Sequence, residues 1–381
     1  MKKLLISVLS LGLCAVMLFG GCSCVGAPIL SFNENFLGSA TDKATKETLI
    51  YKVENVDSFG TEFKKDPSIT SSVIEYSYNG TFEITWESIK SLPYPDDVNN
   101  PKPEEVSGLL GNVIPRNVID VNAQNYYKLT SKLELTASYP TINGKVPEKP
   151  TCTDVIKTET YFANRIDSYA PIYTETVANY TNVVMVGGYA GVTFTEYSAY
   201  TEYKKESYIV HTKIDKETKF TSTEYAYSYR TAIDNAQILF LIRNIDFSKS
   251  NTVYIPTVSY QYGESQNLAF KKRTGSQVVY DNPAHAEFDS NASSTIKYNG
   301  NLLTANPDAK EIKISVDRIG FLVDSTTSAG IEQTVLVQNN AIDGLPNTAL
   351  PMQYVEPLIT LNTYQSLGVL SYTLTEIITS K

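Results

Sequence analysis

The feature that most limits what this chain can fold into is a long, repeated alternation of β-forming apolar residues with polar ones. Tyr127, Leu129, Leu133, Leu135, Ala137 and Tyr139 share one parity, with polar residues between them. Successive side chains of a strand point to opposite faces, so this stretch reads as a long strand with one buried face. Similar stripes run through 155–162, 171–178, 192–203, 207–214 and 220–230. Asn143-Gly144, Gly187-Gly188 and Asp215-Lys216-Glu217 punctuate the series as turns would. Consecutive strands joined by short turns predict an antiparallel meander. The 27 tyrosines suit its half-buried, pleated surfaces.

Two details refine the pattern. Ile74, Tyr76 and Tyr78 share a parity with Phe82, Ile84 and Trp86, across Asn79-Gly80. A two-residue turn there would put Tyr76 opposite Glu83 and mix the faces, so a bulged hairpin or one continuous strand is expected instead. The stretch Asp234-Asn235-Ala236-Gln237-Ile238-Leu239-Phe240-Leu241-Ile242-Arg243 interrupts the alternation. Its Asp or Asn cap and its helix formers predict a helix of about three turns, over about 234–245. Apolar residues nearly encircle it, so Ile238, Leu239, Phe240, Leu241 and Ile242 are expected to be buried, lining a ligand groove or plugging it.

The expected fold is therefore mainly β, a large curved antiparallel sheet or half-barrel with that one short buried helix. Strands are expected to resume at 252–258, 267–272, 277–280, 311–317, 321–324, 333–338 and 369–378, with 281–306 as loop. Pro93, Pro95, Pro101, Pro103 and Pro115 mark an insertion over 92–124, with a short helix expected near 104–110. No boundary-quality linker follows residue 47, so 47–381 is read as a single β domain.

The amino terminus is of another kind. Met1-Lys2-Lys3 precedes an apolar stretch from Leu4 to Phe19, then Gly20-Gly21-Cys22. A basic start, a short apolar core and small residues describe an export signal, and the stretch is shorter than the roughly 20 residues of a spanning helix. Phe19-Gly20-Gly21-Cys22 resembles the bacterial lipobox. That resemblance implies cleavage between Gly21 and Cys22, lipid on Cys22, and an extracytoplasmic protein anchored to the cell membrane. Residues 1–21 are then the signal peptide, and 22–46, rich in Gly, Ser, Asn and Thr, a flexible tether.

Charge and rare residues exclude several functions. Removing Lys2 and Lys3, with no acidic residue before Cys22, takes the formal net charge from −9 to −11. Such a chain does not bind nucleic acid as its main task, and it has no electrostatic attraction to anionic lipid. Cys24 and Cys152 either pair or stay as thiols, and an exported chain permits both. Only His211 and His285 could serve a zinc site or a His-assisted nucleophile. His211 alternates within a strand and His285 follows Asn282-Pro283, so neither is expected to be catalytic. Asp96-Asp97 and Glu104-Glu105 sit in the polar insertion, and 187–191 lacks the spacing of a phosphate-binding loop. No catalytic, metal or cofactor site is expected, and the chain is read as non-enzymatic.

Residues 155–162 leading into Ala170-Pro171-Ile172-Tyr173, the helical stretch from Asp234 to Arg243, and Gly368-Val369-Leu370-Ser371-Tyr372-Thr373-Leu374 together resemble an uncharacterised family of bacterial surface lipoproteins. Their expected fold is a half-barrel like that of the carrier LolA. The resemblance spans 120–381 and implies that the curved sheet holds a lipid or other amphipathic ligand. The alternative is a structural or interaction module acting through exposed loops. An empty or a plugged concave face separates the two.

Overall fold

The computed structural model describes residues 46–55, 77–89, 108–110, 125–138, 151–164, 171–186, 189–204, 207–226, 233–243, 252–258, 265–273, 293–300, 311–315, 320–326, 332–338, 350–360 and 363–380. The first strands are β1 (Lys46–Asn55), β2 (Ser77–Ile89), β3 (Asn125–Ser138), β4 (Thr151–Asn164), β5 (Pro171–Val186) and β6 (Tyr189–Tyr203). Next come β7 (Ser207–Ile214), β8 (Thr221–Ala226) and the two-residue β9 (Ile233–Asp234). A 3₁₀ turn (Asn235–Gln237) leads into a short helix, α1 (Ile238–Ile242). The series resumes with β10 (Thr252–Val258), β11 (Ser265–Arg273), β12 (Ser293–Gly300), β13 (Glu311–Ser315) and β14 (Gly320–Thr326). It ends with β15 (Glu332–Gln338), β16 (Leu350–Thr360) and β17 (Thr363–Ser380).

All these strands belong to one sheet. The expected meander is present from β2 to β8, each strand pairing antiparallel with the next. Val186 pairs with Tyr189, bracketing the Gly187-Gly188 turn signal. At the other end of the meander, β2 pairs with β1 and β1 with β17, so the first and last strands are neighbours in the middle of the sheet. From β17 the pairing continues through β16, β15, β14, β11 and β10 to β9.

The contacts of Asp234 show that this sheet curls. Asp234 pairs with Val258 of β10 and accepts a hydrogen bond from Tyr203 of β6. Those two strands lie eleven steps apart along the pairing order. At about 4.8 Å per step, a flat sheet would separate them by roughly 50 Å. One side chain can meet both only if the sheet wraps around it, as the accumulated twist of a long sheet permits.

The concave face holds most of the described core, while Tyr161, Ala163, Ile172 and Tyr173 form a smaller buried cluster apart from it. Leu49, Trp86, Tyr127, Leu129, Phe162 and Ile377 are all buried on the concave face. They occupy matched register positions, for example Leu49 beside Ile377 and Tyr127 beside Phe162. Residues 77–89 form one strand, so the continuous reading of Asn79-Gly80 holds and the turn does not. Gly80 is required there because a Cβ would overlap the Glu134 carbonyl of β3.

Four expectations change. The helix is one 3₁₀ turn plus five α-helical residues, shorter than three turns, because the chain enters it directly from the paired residues of β9. Residues 293–300, expected as loop, form β12: Thr295 to Tyr298 are good strand formers, and their partners β13 and β17 come from distant sequence. Residues 350–360 form β16 despite Pro351 and Pro357, with the register shifting at both. The sheet also carries two short parallel pairs, β9 with β10 and β12 with β17. Residues 1–45, His285 and the expected strand at 277–280 lie outside the described residues.

Candidate functional site

The concave face around α1 is built from both ends of the chain. The Asp234 side chain accepts from the Ala236 N–H at 2.8 Å, and the Gln237 side chain accepts from the Asp234 N–H at 2.9 Å. This capping box starts a helical turn despite its shortness. All five residues Ile238, Leu239, Phe240, Leu241 and Ile242 are buried. The Phe240 ring lies 6.0 Å from Trp86, 5.8 Å from Tyr127 and 5.0 Å from Phe162, the last edge-on. It thus occupies the concavity over β2, β3 and β4. Arg243 closes the segment. It pairs with Glu47 of β1 and lies 5.0 Å over the Trp86 ring, and both charged residues are buried. The five residues named from sequence are thus buried against the concave face at this place.

Polar pairs lie on the same face of β4 and β5. Thr158 meets Thr176 at 3.1 Å, and Thr174 meets Thr160 at 3.3 Å, across β4 and β5. Burial raises the Asp234 pKa, and hydrogen bonds from Tyr203, the Ala236 N–H and Thr174 pull it back.

The convex face of β3 to β8 presents a second cluster that sequence adjacency conceals. Strand register aligns Thr130, Glu159, Glu175, Tyr200, His211 and Ser222 in one row across six strands. The next row is Lys128, Tyr161, Tyr173, Glu202, Ile209 and Glu224. Lys128 sits 2.8 Å from Glu159 and 5.5 Å over the Tyr161 ring. Burial works against its ammonium, but the hydrogen bond and the charge of Glu159 outweigh this, and its pKa is raised. The Tyr161 hydroxyl is pushed up to about 12, by burial first and then by the Glu159 charge.

Glu175 is fully buried, accepting from the Tyr173 hydroxyl at 2.6 Å and from the Leu110 N–H at 3.0 Å. Gly108–Leu110 is the described part of the proline-rich insertion, and it covers this carboxylate; the rest of the helix expected near 104–110 lies outside the described residues. Gly108 permits the approach, since a Cβ there would overlap the Glu175 carboxylate.

Past that cover the same two rows continue over β6 to β8. His211 stacks on Tyr200 at 4.0 Å and 10°, and its Nδ1 lies 2.6 Å from the Ser222 hydroxyl. Its Nε2 lies 3.8 Å from Glu202, beyond hydrogen-bond reach. Burial lowers the His211 pKa, Glu202 opposes this and Lys204 adds to the lowering. As expected, His211 is a half-buried sheet residue. Ser222, His211 and Glu202 thus juxtapose a hydroxyl, an imidazole and a carboxylate. Ser222 is exposed, on a strand of which five of the six residues are exposed. The cluster offers hydrogen-bond acceptors beside aromatic rings, a surface suited to binding. Among the described residues no group of three His, Cys, Asp or Glu is placed to hold a metal ion.

No family model matches the chain, and no curated protein matches it. A solved β-barrel-like protein of the domain of unknown function DUF1849 from Brucella abortus aligns with 90% of this chain and 100% of its own, at 6% identity and a TM-score of 0.39. Cys22, Gly21 and Cys24 lie outside the described residues. No helix among those described is long and apolar enough to cross a membrane, which leaves strands aside.

Proposed function

We propose that this chain is a non-enzymatic envelope lipoprotein, anchored through Cys22, that acts as an interaction module with a LolA-like half-barrel as its rigid frame. The observation behind this reading is α1. Phe240 and its neighbours fill the concavity over β2 to β4, where an acyl chain would otherwise lie. Recognition then falls to the convex face of β6 to β8, where half-buried Tyr200 and Glu202 offer a ring edge and a carboxylate to a hydroxyl-rich surface polymer, held in place by His211 stacked on Tyr200.

Native mass spectrometry of the mature chain and pull-down on isolated cell-wall polysaccharide test the proposal together. The expected result is a ligand-free mass and retention on the polymer, reduced by Tyr200→Ala and Glu202→Gln. Stoichiometric lipid surviving purification, with no retention on polymer, would reinstate the lipid-carrying reading and remove this one.

A further inference from the structure

One group on the convex face has only half of its bonding complete. Strand register sets His211 of β7 between Tyr200 of β6 and Ser222 of β8. The ring is held by its stack on Tyr200 and, through Nδ1, by the Ser222 hydroxyl at 2.6 Å. Its Nε2 is closed off from solvent and has no hydrogen-bond partner among the described residues. A buried polar atom without a partner is rare and calls for a cause. Glu202 of β6 faces this nitrogen from 3.8 Å, about 1 Å beyond hydrogen-bond distance. The gap fits a neutral ring whose proton lies on Nδ1, since Nε2 and the carboxylate are then two acceptors face to face.

The other charged groups around the ring are engaged elsewhere. Glu224 of β8 accepts from the Ser207 hydroxyl at 2.6 Å, with the Lys204 ammonium 3.8 Å away. Glu175 of β5, opposite Tyr200, is held by the Tyr173 hydroxyl and the Leu110 N–H. On β7 itself, Lys213 lies 5.1 Å over the Phe220 ring. Burial of the ring and the charge of Lys204 oppose an imidazolium, and Glu202 favours one. No hydrogen bond among the described residues fixes the Glu202 carboxylate, and its side chain is 28% exposed. Glu202 is therefore the acceptor with room to move.

We propose that His211 is a protonation-driven clip: a second proton, on Nε2, draws the Glu202 carboxylate across the gap and takes it off the recognition face. Nε2–H is then a charged donor shut away from water, and a carboxylate is the partner that best satisfies it. Ser222 accepts from Nδ1 in both states, so the ring stays in place and Glu202 makes the movement. Release of a bound polymer by acid is the consequence, and it rests on the recognition role proposed above. The clip itself does not.

Histidine-selective NMR on the full chain tests the clip, since there are only two histidines to assign. Acidification from about pH 7.5 to about pH 4.5, which brackets the value of free imidazole, should bring up an exchange-protected Nε2–H signal with a cross-peak to the Glu202 γ-protons. In Glu202→Ala that signal should be lost to exchange. Protonation of His211 without the protected signal, or equal protection in Glu202→Ala, overturns the clip. Retention on cell-wall polysaccharide should fall on the order of ten-fold over the same interval, the worth of one hydrogen bond to a charged group. In His211→Gln the ratio between the two ends of the interval should approach one. Retention independent of pH in the unaltered chain, or equally dependent on it in His211→Gln, overturns the release. A chain that shows the protected signal but binds no polymer at any pH would remove the recognition reading and keep the clip.

Discussion

His211 and Asp234 have opposite relations to pH, and burial causes both. The His211 ring is held below the 6.5 of free imidazole because its site disfavours charge. The unfolded chain then binds more protons than the folded one between the two pKa values. Stability from this group is fully present above 6.5 and falls as pH drops through that value toward the folded pKa. Asp234 is raised, so its contribution runs the other way: present below the unfolded value and lost as pH rises through the folded one. The His211 prediction is read directly by NMR. Its ring protons should titrate with a midpoint below 6.5, moving further down in Glu202→Gln, where the carboxylate that favours the cation is gone. An unchanged or higher midpoint in Glu202→Gln would contradict the assigned balance.

At the scale of elements, α1 is too short to be stable by itself and depends on what it touches. Helix nucleation is unfavourable and five residues cannot repay it. Its stability comes from the capping box at Asp234, from the rings around Phe240, and from Arg243 on Glu47. Removing one member of that buried pair leaves an uncompensated charge, which costs about 3–5 kcal/mol, whereas replacing both with apolar residues is often neutral. In chemical denaturation Glu47→Leu and Arg243→Met should each destabilise by about that amount, and the double variant by much less than their sum. Additive losses would show that the pair does not act as a unit. Because Arg243 also lies over Trp86, Arg243→Lys should not restore full stability, since lysine lacks the planar guanidinium.

For the molecule as a whole, the governing fact is that the last strand is a central one. β17 lies between β16 and β1, and the far end of β17 also pairs with β12. The pairing of Lys46 with Ser380 joins residues more than 300 positions apart, so it carries a large loop-closure entropy cost. Truncation after residue 362 would strip Leu49, Tyr51 and Val53 of their neighbours Ile377, Leu374 and Tyr372. The truncated chain should lose near-ultraviolet circular dichroism and cooperative unfolding altogether. A shortened chain that still unfolds in one sharp transition would mean that the meander β2–β8 is a domain of its own.

Local periodicity was enough to mark out most strands, the meander order and the burial of Ile238 to Ile242, because alternation and apolar encirclement are properties of neighbours in sequence. It also anticipated the half-exposed sheet position of His211. The amino-terminal motif at Cys22 likewise stands in the residues themselves. What the sequence could not disclose depends on partners far away along the chain. The strand at 293–300 exists through β13 and β17, and α1 is buried because the sheet curls far enough for β6 and β10 to meet at Asp234. The alignment of Glu159, Glu175, Tyr200 and His211 is a matter of register, which sets residues from four strands side by side although each stands apart in sequence. Which face a residue takes is written in its immediate neighbours; what it meets on that face is decided only when the sheet curls around the core.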